Sequence, residues 1–265
     1  MIRRAVRKLR SGLKRLMGLT GFPRIVKVKC PGGPRLRFRL HNSVEQNRIV
    51  EKGGEEETWA AFLRLLKPDD VVYDIGASVG IYSVAAGAML PSSRVVAFEP
   101  DPETRSHLQA NVSLNGLRNV EVIEWAVGDK EGTVELFTDG ASGWAPSLFA
   151  KQIAKAPKGK IQVQQRSLDA CIASGELPPP SVMKIDIEGA EGLCLRGSRK
   201  LLAGSFGARP RLVLLEVHPD FLPSLGSSQS EVESILEDHG YVREWSKHRS
   251  DQIHCLYKAA SRDES

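Results

Sequence analysis

Two carboxylates follow apolar runs at the spacing of one strand–helix–strand unit. Asp74 comes after Val71–Tyr73 and before a glycine turn, and Glu99 ends an apolar run just before Pro100. In an open parallel sheet, ligands bind at the edge where the carboxyl ends of the strands meet. A carboxylate that ends the second strand can accept hydrogen bonds from both ribose hydroxyls of a nucleoside. The pair predicts a nucleotide site, although Glu99 could instead be a charge at the start of the next helix.

The turn after Asp74 contains Gly76, Ala77, Ser78 and Gly80 and leads into an apolar pattern of helical period. Glycines at such a turn allow the backbone to approach a ligand, and the helix N-terminus offers free N–H groups. The turn lacks the G-x-G-x-x-G pattern of dinucleotide sites and the G-x-x-x-x-G-K-[ST] pattern of phosphate loops. A carboxylate at Asp74 would repel a pyrophosphate but would suit the ammonium of a methionine moiety. The alternative is a tight strand-to-helix turn without a ligand.

These motifs resemble those of a known enzyme family. The pattern D-x-G-A-x-x-G from Asp74, followed by F-E-P around Glu99, resembles the S-adenosylmethionine site of class I methyltransferases. Together with Met183–Glu191, M-K-I-D-I-E-G-A-E, it is similar to the FkbM family, which consists mostly of O-methyltransferases acting on small molecules and glycans. The resemblance covers residues 71–218, and Ser78 departs from it because the family usually has Asn there. It implies a Rossmann-like α/β fold, a doubly wound sheet of seven mostly parallel strands with one antiparallel strand.

The resemblance also implies S-adenosylmethionine as the cofactor and a hydroxyl of a small molecule, sugar or glycan as the methyl acceptor. Asp74 would contact the methionine moiety and Glu99 the ribose. Residues after the third strand approach the adenine in methyltransferases of this class, which indicates Ala126 and Asp129, although Asp129 could simply form a turn. The expected cofactor-binding residues are therefore Asp74, Gly76, Ala77, Ser78, Gly80, Glu99, Ala126 and Asp129.

Further acids and one histidine follow the fourth and fifth predicted core strands. Asp186 and Glu188 end the fourth strand, and Glu191 opens the next helix, where it could serve only as an N-terminal helix charge. The acids could position an acceptor hydroxyl, take its proton or hold a divalent cation. His218 ends the fifth strand and is the preferred general base because its ordinary pKa lies near neutrality, although it could be a surface residue before a proline turn. We expect Asp186, Glu188 and His218 to be catalytic, without a resident metal.

Composition limits the class of protein. The 265 residues suffice for one α/β domain with a large core, and no apolar run approaches the eighteen residues of a membrane span. Four cysteines lie far apart without a C-x-x-C pair, so neither a disulfide framework nor a zinc site is expected. This pattern favours a reducing compartment, and we expect a cytoplasmic protein.

Charge divides the chain into two predicted regions. Residues 1–40 hold 13 basic and no acidic side chains, whereas the other 225 residues hold 24 basic and 32 acidic ones. We predict a basic N-terminal extension over 1–43, an amphipathic helix and a hairpin, followed by a methyltransferase domain over 44–265. The helix would contact an anionic membrane surface through residues 1–20 or pack on the domain. A mitochondrial presequence and a nucleic-acid contact stay open.

Other patterns predict a hairpin of 24–29 with 35–40, a helix over 55–66 beside the methionine end of the pocket, and a pocket loop over 139–160. One continuous helix is expected over 191–202, a capping box at 230–233, and an antiparallel closing pair of strands, 241–244 with 252–257.

Three alternatives to this function are kept. A nucleic-acid methyltransferase fits the basic extension, but the chain lacks the Asn/Asp-Pro-Pro-aromatic turn of amino-methylating enzymes and any Pro-Cys nucleophile, so nucleic acid is not the expected partner. A magnesium-dependent O-methyltransferase would use Asp186 and Glu188. A membrane-surface module with a vestigial fold would have no cofactor affinity.

Overall fold

The computed structural model describes residues 22–51, 55–138, 142, 147–148, 159–249 and 251–260. The predicted N-terminal helix and most of the predicted pocket loop lie outside these residues.

The described chain starts with a hairpin and two helices: β1 (Arg24–Lys29), β2 (Arg35–Leu40), α1 (Ser43–Val50) and α2 (Glu56–Leu65). Strands and helices then alternate: β3 (Val71–Ile75), α3 (Ile81–Met89), β4 (Arg94–Phe98), α4 (Pro102–Leu114) and β5 (Val120–Ile123). A small sheet follows, made of β6 (Ala126–Val127), β7 (Gly132–Thr138) and β8 (Gly159–Arg166). The last elements are α5 (Leu168–Ala173), β9 (Val182–Ile185), α6 (Glu191–Arg196), α7 (Arg199–Leu202), β10 (Leu212–Val217), a 3₁₀ turn (Leu222–Leu225), α8 (Gln229–Asp238), β11 (Tyr241–Arg249) and β12 (Gln252–Ala259).

The central sheet has seven strands in the order β11-β12-β10-β9-β3-β4-β5. The five strands from β10 to β5 pair in parallel, and β12 pairs antiparallel with β10 and with β11. This confirms the predicted fold class. The chain runs outward from β3 to β5 and then returns to the other side of β3 as β9. A crevice therefore opens where these two central strands end, the place where open α/β sheets bind ligands.

The core strands are apolar on both faces because helices cover the sheet on both sides. All residues of β9 and β10 are buried, as expected for parallel strands with two covered faces. Successive residues enter different hydrophobic clusters: Tyr73 and Ile75 join one, and Val72 joins the other. Leu36 and Phe38 of β2 belong to the same cluster as Val72, so the hairpin packs as part of the domain core.

Two helix predictions differ from the structure. The helix predicted over 191–202 is divided into α6 and α7, and Gly197 at the division packs on the backbone of Gly128, where an added Cβ atom would lie 1.9 Å from the carbonyl oxygen. The N-cap of α8 is Ser228, whose hydroxyl accepts from the Glu231 N–H, two residues before the predicted cap at Ser230. The closing strands, the hairpin and α2 agree with prediction.

The four cysteines are buried free thiols. Among the described helices, none is both long and apolar enough to cross a membrane.

Candidate functional site

The glycine turn between β3 and α3 lies against the end of β9. Gly76 (φ +77) and Gly80 (φ +92) adopt left-handed backbone conformations that glycine tolerates best. The N–H groups of Gly76 and Ala77 donate to the carbonyl oxygen of Phe98, at 3.1 and 3.0 Å. A Cβ atom on Gly76 would lie 1.8 Å from the carbonyl oxygen of Asp186, so only glycine fits this close approach.

A cavity of about 640 Å³ opens beside this turn. Its walls are mostly apolar, and Phe98 and Trp125 meet there edge to face at 5.0 Å between ring centroids. The other apolar residues that form it include Ile75, Pro100, Ala126, Val127, Leu136 and Leu148. An apolar slot of this kind suits an aromatic base, with a few polar groups at its rim to orient the ligand.

Glu99 is the carboxylate at the end of β4 in this first cavity. It is 3 % exposed, and its two oxygens accept from the N–H groups of Ser78, at 2.9 Å, and Asp101, at 3.0 Å. Burial raises the pKa of Glu99 to about 7, although these hydrogen bonds oppose the increase. Each carboxylate oxygen can accept more than one hydrogen bond, so ribose hydroxyls could still bind.

A second cavity, of about 480 Å³, adjoins the first and shares Arg48, Gly76, Ser78 and Asp186 with it. Glu55 and Trp59 also line this cavity, so the start of the predicted helix 55–66 lies where we expected the methionine end of a cofactor. The hydroxyl oxygen of Ser78 is buried and has no hydrogen-bond partner in the described part of the chain. An unpartnered donor at the junction of the two cavities fits a polar ligand.

Backbone strain occurs at the same place. Ser78 (φ 50) and Glu188 (φ 54) are the non-glycine residues with positive φ in the described ranges, and both line the first cavity. A left-handed conformation costs a non-glycine residue on the order of 1–3 kcal/mol and is concentrated at ligand sites. The two loops that hold these residues therefore carry strain where a ligand would bind.

Asp74 lines neither cavity, and its expected contact with a methionine moiety stays a prediction. Its side chain is 1 % exposed, accepts a hydrogen bond from the Ser83 hydroxyl and lies 3.2 Å from the ammonium of Lys184. The register of β3 with β9 places Asp74 directly beside Lys184. Lys184 also donates to the carbonyl oxygen of Gly76 at 2.8 Å and lies 3.5 Å from a carboxylate oxygen of Asp186. Asp74 therefore balances a buried lysine that supports the ligand-facing turn.

Burial alone would lower the pKa of Lys184, but the negative charges of Asp74 and Asp186 outweigh burial and raise it. The lysine is therefore charged at neutral pH. It holds together the end of β9, the turn after β3 and the base of the second cavity.

A third cavity, of about 850 Å³, extends from the other two toward β10, β11 and β12. Of the ten residues that form it, Val44 is the single apolar one. The charged residues that line it are Arg48, Glu55, Asp186, Glu188, Glu216 and Arg249. Nine of its ten residues carry polar groups, so this cavity offers a ligand many hydrogen-bond donors and acceptors.

His218 is buried, and its role as the general base stays a prediction. Only 1 % exposed, it places Nδ1 2.9 Å from Glu191 and Nε2 3.5 Å from Glu216. Burial would lower the pKa of His218, but the hydrogen bonds to Glu191 and Glu216 outweigh it and raise the pKa to about 11. The raised pKa favours the imidazolium, which pairs with these carboxylates, although the amide nitrogen of Gln252 also lies 3.2 Å from His218 Nε2.

His218 nevertheless stabilises the wall of the third cavity. Its Nε2 lies 3.7 Å from Glu188, and its partner Glu216 also lies 3.0 Å from Nε2 of His254. Burial would raise the pKa of Glu216, but the hydrogen bonds to His218 and His254 hold it well below its usual range. Glu216 is therefore a fixed carboxylate and a poor base.

Of the four remaining residues predicted to bind the cofactor, two line the cavities and two do not. Ala77 lines the second cavity, and Ala126 lines the first, as expected for residues at a cofactor. Gly80 is not in the wall of any of these three cavities; it is the N-cap of α3. Asp129 does not line them either, because its carboxylate lies 3.6 Å from the guanidinium of Arg196. The expected contact of Asp129 with an adenine is therefore not what this geometry favours.

Arg48 and Glu55 line the cavities but were not found from the sequence. Arg48, from α1, lines all three cavities, as does Asp186. Glu55 lines the second and third, and its carboxylate lies 2.7 Å from Arg249. Burial, together with the charges of Glu216 and Asp186, raises the pKa of Glu55. Neither residue belongs to a motif, so the sequence contains no specific signal for them.

Two clusters around the third cavity have spacings that a cation could use. Asp186, Glu188 and His218 place ligand atoms within 4.8 Å of one another, and Glu55 and Glu216 do so with His254. Burial lowers the pKa of both histidines, but Glu191 and Glu216 raise that of His218, and Glu216 raises that of His254. The geometry permits a cation, but it does not require one.

Comparison with known proteins adds independent information. The family model described as the methyltransferase FkbM domain matches residues 74–243. A hexuronic acid methyltransferase, AglP, from Haloferax volcanii is 25 % identical over 246 residues, covering 89 % of this chain and 95 % of that protein. The 31-O-demethyl-FK506 methyltransferase FkbM from Streptomyces tacrolimicus is 29 % identical and covers 67 % of this chain and 74 % of its own length.

A third relative, the 2-O-methyltransferase NoeI from Sinorhizobium fredii, is 25 % identical over 52 % of this chain and 61 % of its own. Among solved structures, TYW2 from M. jannaschii in complex with AdoMet has a TM-score of 0.44 and 14 % identity, covering 91 % of this chain and 90 % of that one.

Proposed function

Because the chain belongs to the FkbM family of methyltransferases, we propose that it methylates a hydroxyl of a sugar or another polar small molecule, with S-adenosylmethionine as donor. One observation carries this proposal: an apolar slot beside Glu99 continues, through walls that share Arg48 and Asp186, into a polar cavity. Such a cleft has room for a nucleoside, an amino-acid tail and an acceptor in sequence.

The cofactor-facing residues act by binding and orientation. When bound, S-adenosylmethionine supplies an activated methyl group on a sulfonium. Glu99 would accept the ribose hydroxyls, and the wall of Phe98 and Trp125 would hold the adenine. In the second cavity, Arg48 and Glu55 offer opposite charges that suit the carboxylate and the ammonium of a methionine moiety. The unpartnered hydroxyl of Ser78 lies between these two regions.

The acceptor class follows from the third cavity. Hydroxyl-rich ligands are recognised by carboxylates, amides and guanidinium groups, which are what this cavity presents in Glu188, Asn47, Gln252 and Arg249. Sugar methylation is also the activity that the name of AglP, a hexuronic acid methyltransferase, indicates for that relative.

A hydroxyl acceptor needs a proton acceptor, and Asp186 and Glu188 are the partly exposed carboxylates common to the first and third cavities. We assign this role to them jointly and give His218 and Glu216 the task of positioning them. Alignment of acceptor, methyl and sulfur supplies most of the acceleration in such a transfer.

The test is a methyl-transfer assay with radiolabelled S-adenosylmethionine against a panel of hexoses, uronic acids and one macrolide. We expect label in the sugar products and little in the macrolide. Label in no acceptor, together with no cofactor binding, would favour the vestigial alternative. Repeating the assay in a chelator and then restoring Mg²⁺ tests the magnesium-dependent alternative, which predicts that methyl transfer is lost and then recovered.

The proposed membrane contact of residues 1–20 falls outside the described residues and stays a prediction. A loss of vesicle binding on their deletion is its test.

A further inference from the structure

The hairpin of β1 and β2 has an outward face made almost entirely of cations. Alternation along each strand turns Leu36, Phe38 and Leu40 inward and leaves every second residue exposed. The exposed residues stand in cross-strand pairs: Ile25 with Arg39, Lys27 with Arg37, and Lys29 with Arg35. We name these six residues the hairpin patch.

The charges in this patch are not balanced within the described chain. Residues 22–40 contain no aspartate or glutamate. Lys27, Lys29, Arg35, Arg37 and Arg39 form no ion pair with any acid that the structure describes, although nearly every cation of the sheet edge at β11 has one, such as Arg249 with Glu55.

Like charges that face each other across an antiparallel pair destabilise it. Two of the three cross-strand pairs, Lys27–Arg37 and Lys29–Arg35, are of this kind, with Cβ atoms about 5 Å apart in such a register. Folding therefore gains nothing from these cations on this face. The apolar inner face and the hydrogen bonds from Arg37 and Arg39 N–H groups to Asn115 and Asn111 hold the hairpin in place against the repulsion.

We propose that the hairpin patch is a docking surface for an anionic lipid membrane. Two features of the patch favour a membrane over a nucleic acid. Its apolar member Ile25 is 48 % exposed, and none of its six positions carries the aromatic side chains on which bases stack. Anionic headgroups would supply the negative charges that balance these five cations. The sequence of residues 1–20, basic and amphipathic, precedes the patch and continues its charge.

The experiment is co-sedimentation of the full-length protein with phosphatidylcholine vesicles, with and without phosphatidylglycerol. Each basic residue near an anionic surface contributes about 1 kcal/mol, or about fivefold in partitioning. The triple variant Lys27→Gln/Arg37→Gln/Arg39→Gln should therefore bind anionic vesicles at least tenfold more weakly than the wild type. Its melting temperature should stay the same or rise, because a repulsion has been removed; a purely structural role for these cations predicts a fall.

The matched control neutralises three exposed cations elsewhere on the surface, Lys67→Gln/Arg118→Gln/Lys200→Gln, and should keep its affinity within about twofold. Equal loss in both triple variants, or no loss in the hairpin variant, overturns the proposal. Tighter binding of the wild type to single-stranded RNA than to vesicles, weakened by the hairpin substitutions, also overturns it. None of these outcomes depends on methyl transfer, so the proposal and the proposed enzymatic function fail independently.

Discussion

At the scale of single residues, Glu99 makes cofactor binding depend on pH. Its pKa, raised to about 7 by burial, means that the neutral form gains population as pH falls below 7. The neutral form loses the charge that accepts ribose hydroxyls, so affinity should fall by up to about tenfold for each unit below pH 7. Calorimetry with S-adenosylhomocysteine from pH 6 to 8.5 measures this slope, and Glu99→Gln should flatten it. A slope unchanged in that variant would assign the titration to another group.

His218 predicts a second pH effect, on stability. Its folded pKa of about 11 lies above the usual value near 6.5, so its contribution is complete below pH 6.5 and disappears as pH rises through 11. His218→Gln leaves Glu191 buried without its cation and Glu216 with His254 alone, and should cost about 3–5 kcal/mol at neutral pH. The gap between wild type and variant, measured by urea unfolding, should narrow above about pH 10.

The exposed His248 gives the matched control, because His248→Gln should change the free energy of unfolding by less than about 0.5 kcal/mol at every pH. If His218→Gln is as mild as this control, the ring is not the buried cation that its contacts indicate.

Residue identity alone located Glu99, Ser78 and Asp186 because strand ends in a parallel sheet share one edge. Residue identity did not indicate the surroundings of Asp74, since a carboxylate at that position is equally suited to a ligand or to a lysine on the neighbouring strand β9 of the sheet. Lys184 lies 110 positions further along the chain, and only the register of β3 with β9 shows that it lies beside Asp74. The pairing of His218 with Glu191 and Glu216 was likewise not predictable, because the sequence does not show that both carboxylates lie around the imidazole ring.

At the scale of elements, the turn between β3 and α3 must contain a glycine at position 76. Gly76→Ala would drive a Cβ atom to 1.8 Å from the Asp186 carbonyl oxygen in addition to the strain at φ +77. Gly116→Ala is the control, with φ +66 and nothing within 4 Å of the new atom, and should cost only about 1 kcal/mol. We expect Gly76→Ala to cost at least twice as much in thermal unfolding and to weaken cofactor binding. Equal stability losses in the two variants would mean that the backbone at Asp186 can move away from the new Cβ atom at little cost.

The same elements are joined by Lys184. Lys184→Met leaves Asp74 buried without its cation and should cost about 3–5 kcal/mol in chemical unfolding. The double variant Asp74→Asn/Lys184→Met removes both charges and should recover part of the loss, because no uncompensated buried charge remains. If the double variant is less stable than Lys184→Met alone, Asp74 has another partner that matters more.

Element type was the most predictable feature of this chain. Runs such as Val182–Ile185 are too short and too apolar for anything but a covered strand, and the hairpin follows from alternation around Pro31 and Pro34. Boundaries that depend on tertiary contact were not predictable. The break between α6 and α7 coincides with Gly197, which packs closely on the backbone of Gly128, a contact that the sequence does not show.

At the scale of the whole molecule, the site is completed by a segment that precedes the family match. The FkbM domain matches residues 74–243, yet Arg48 and Glu55 line the cavities from α1 and from the start of α2. Cofactor binding should therefore slow amide hydrogen exchange in α1 as well as in the turn at 76–80. Exchange measured by mass spectrometry, with α8 as an internal reference that lines none of the three cavities, tests this. Protection confined to residues 74–243 would contradict it.

The central claim is that the cleft beside Glu99 binds S-adenosylmethionine. Isothermal titration calorimetry with S-adenosylhomocysteine tests it most directly, on the wild type, on Glu99→Ala, and on Glu103→Ala as an exposed acid of the neighbouring helix α4. We predict binding by the wild type, at least tenfold weaker binding by Glu99→Ala from the loss of charge-assisted hydrogen bonds, and no change in Glu103→Ala. A wild type that does not bind, or a Glu99→Ala variant that binds as tightly as the wild type, would contradict the account.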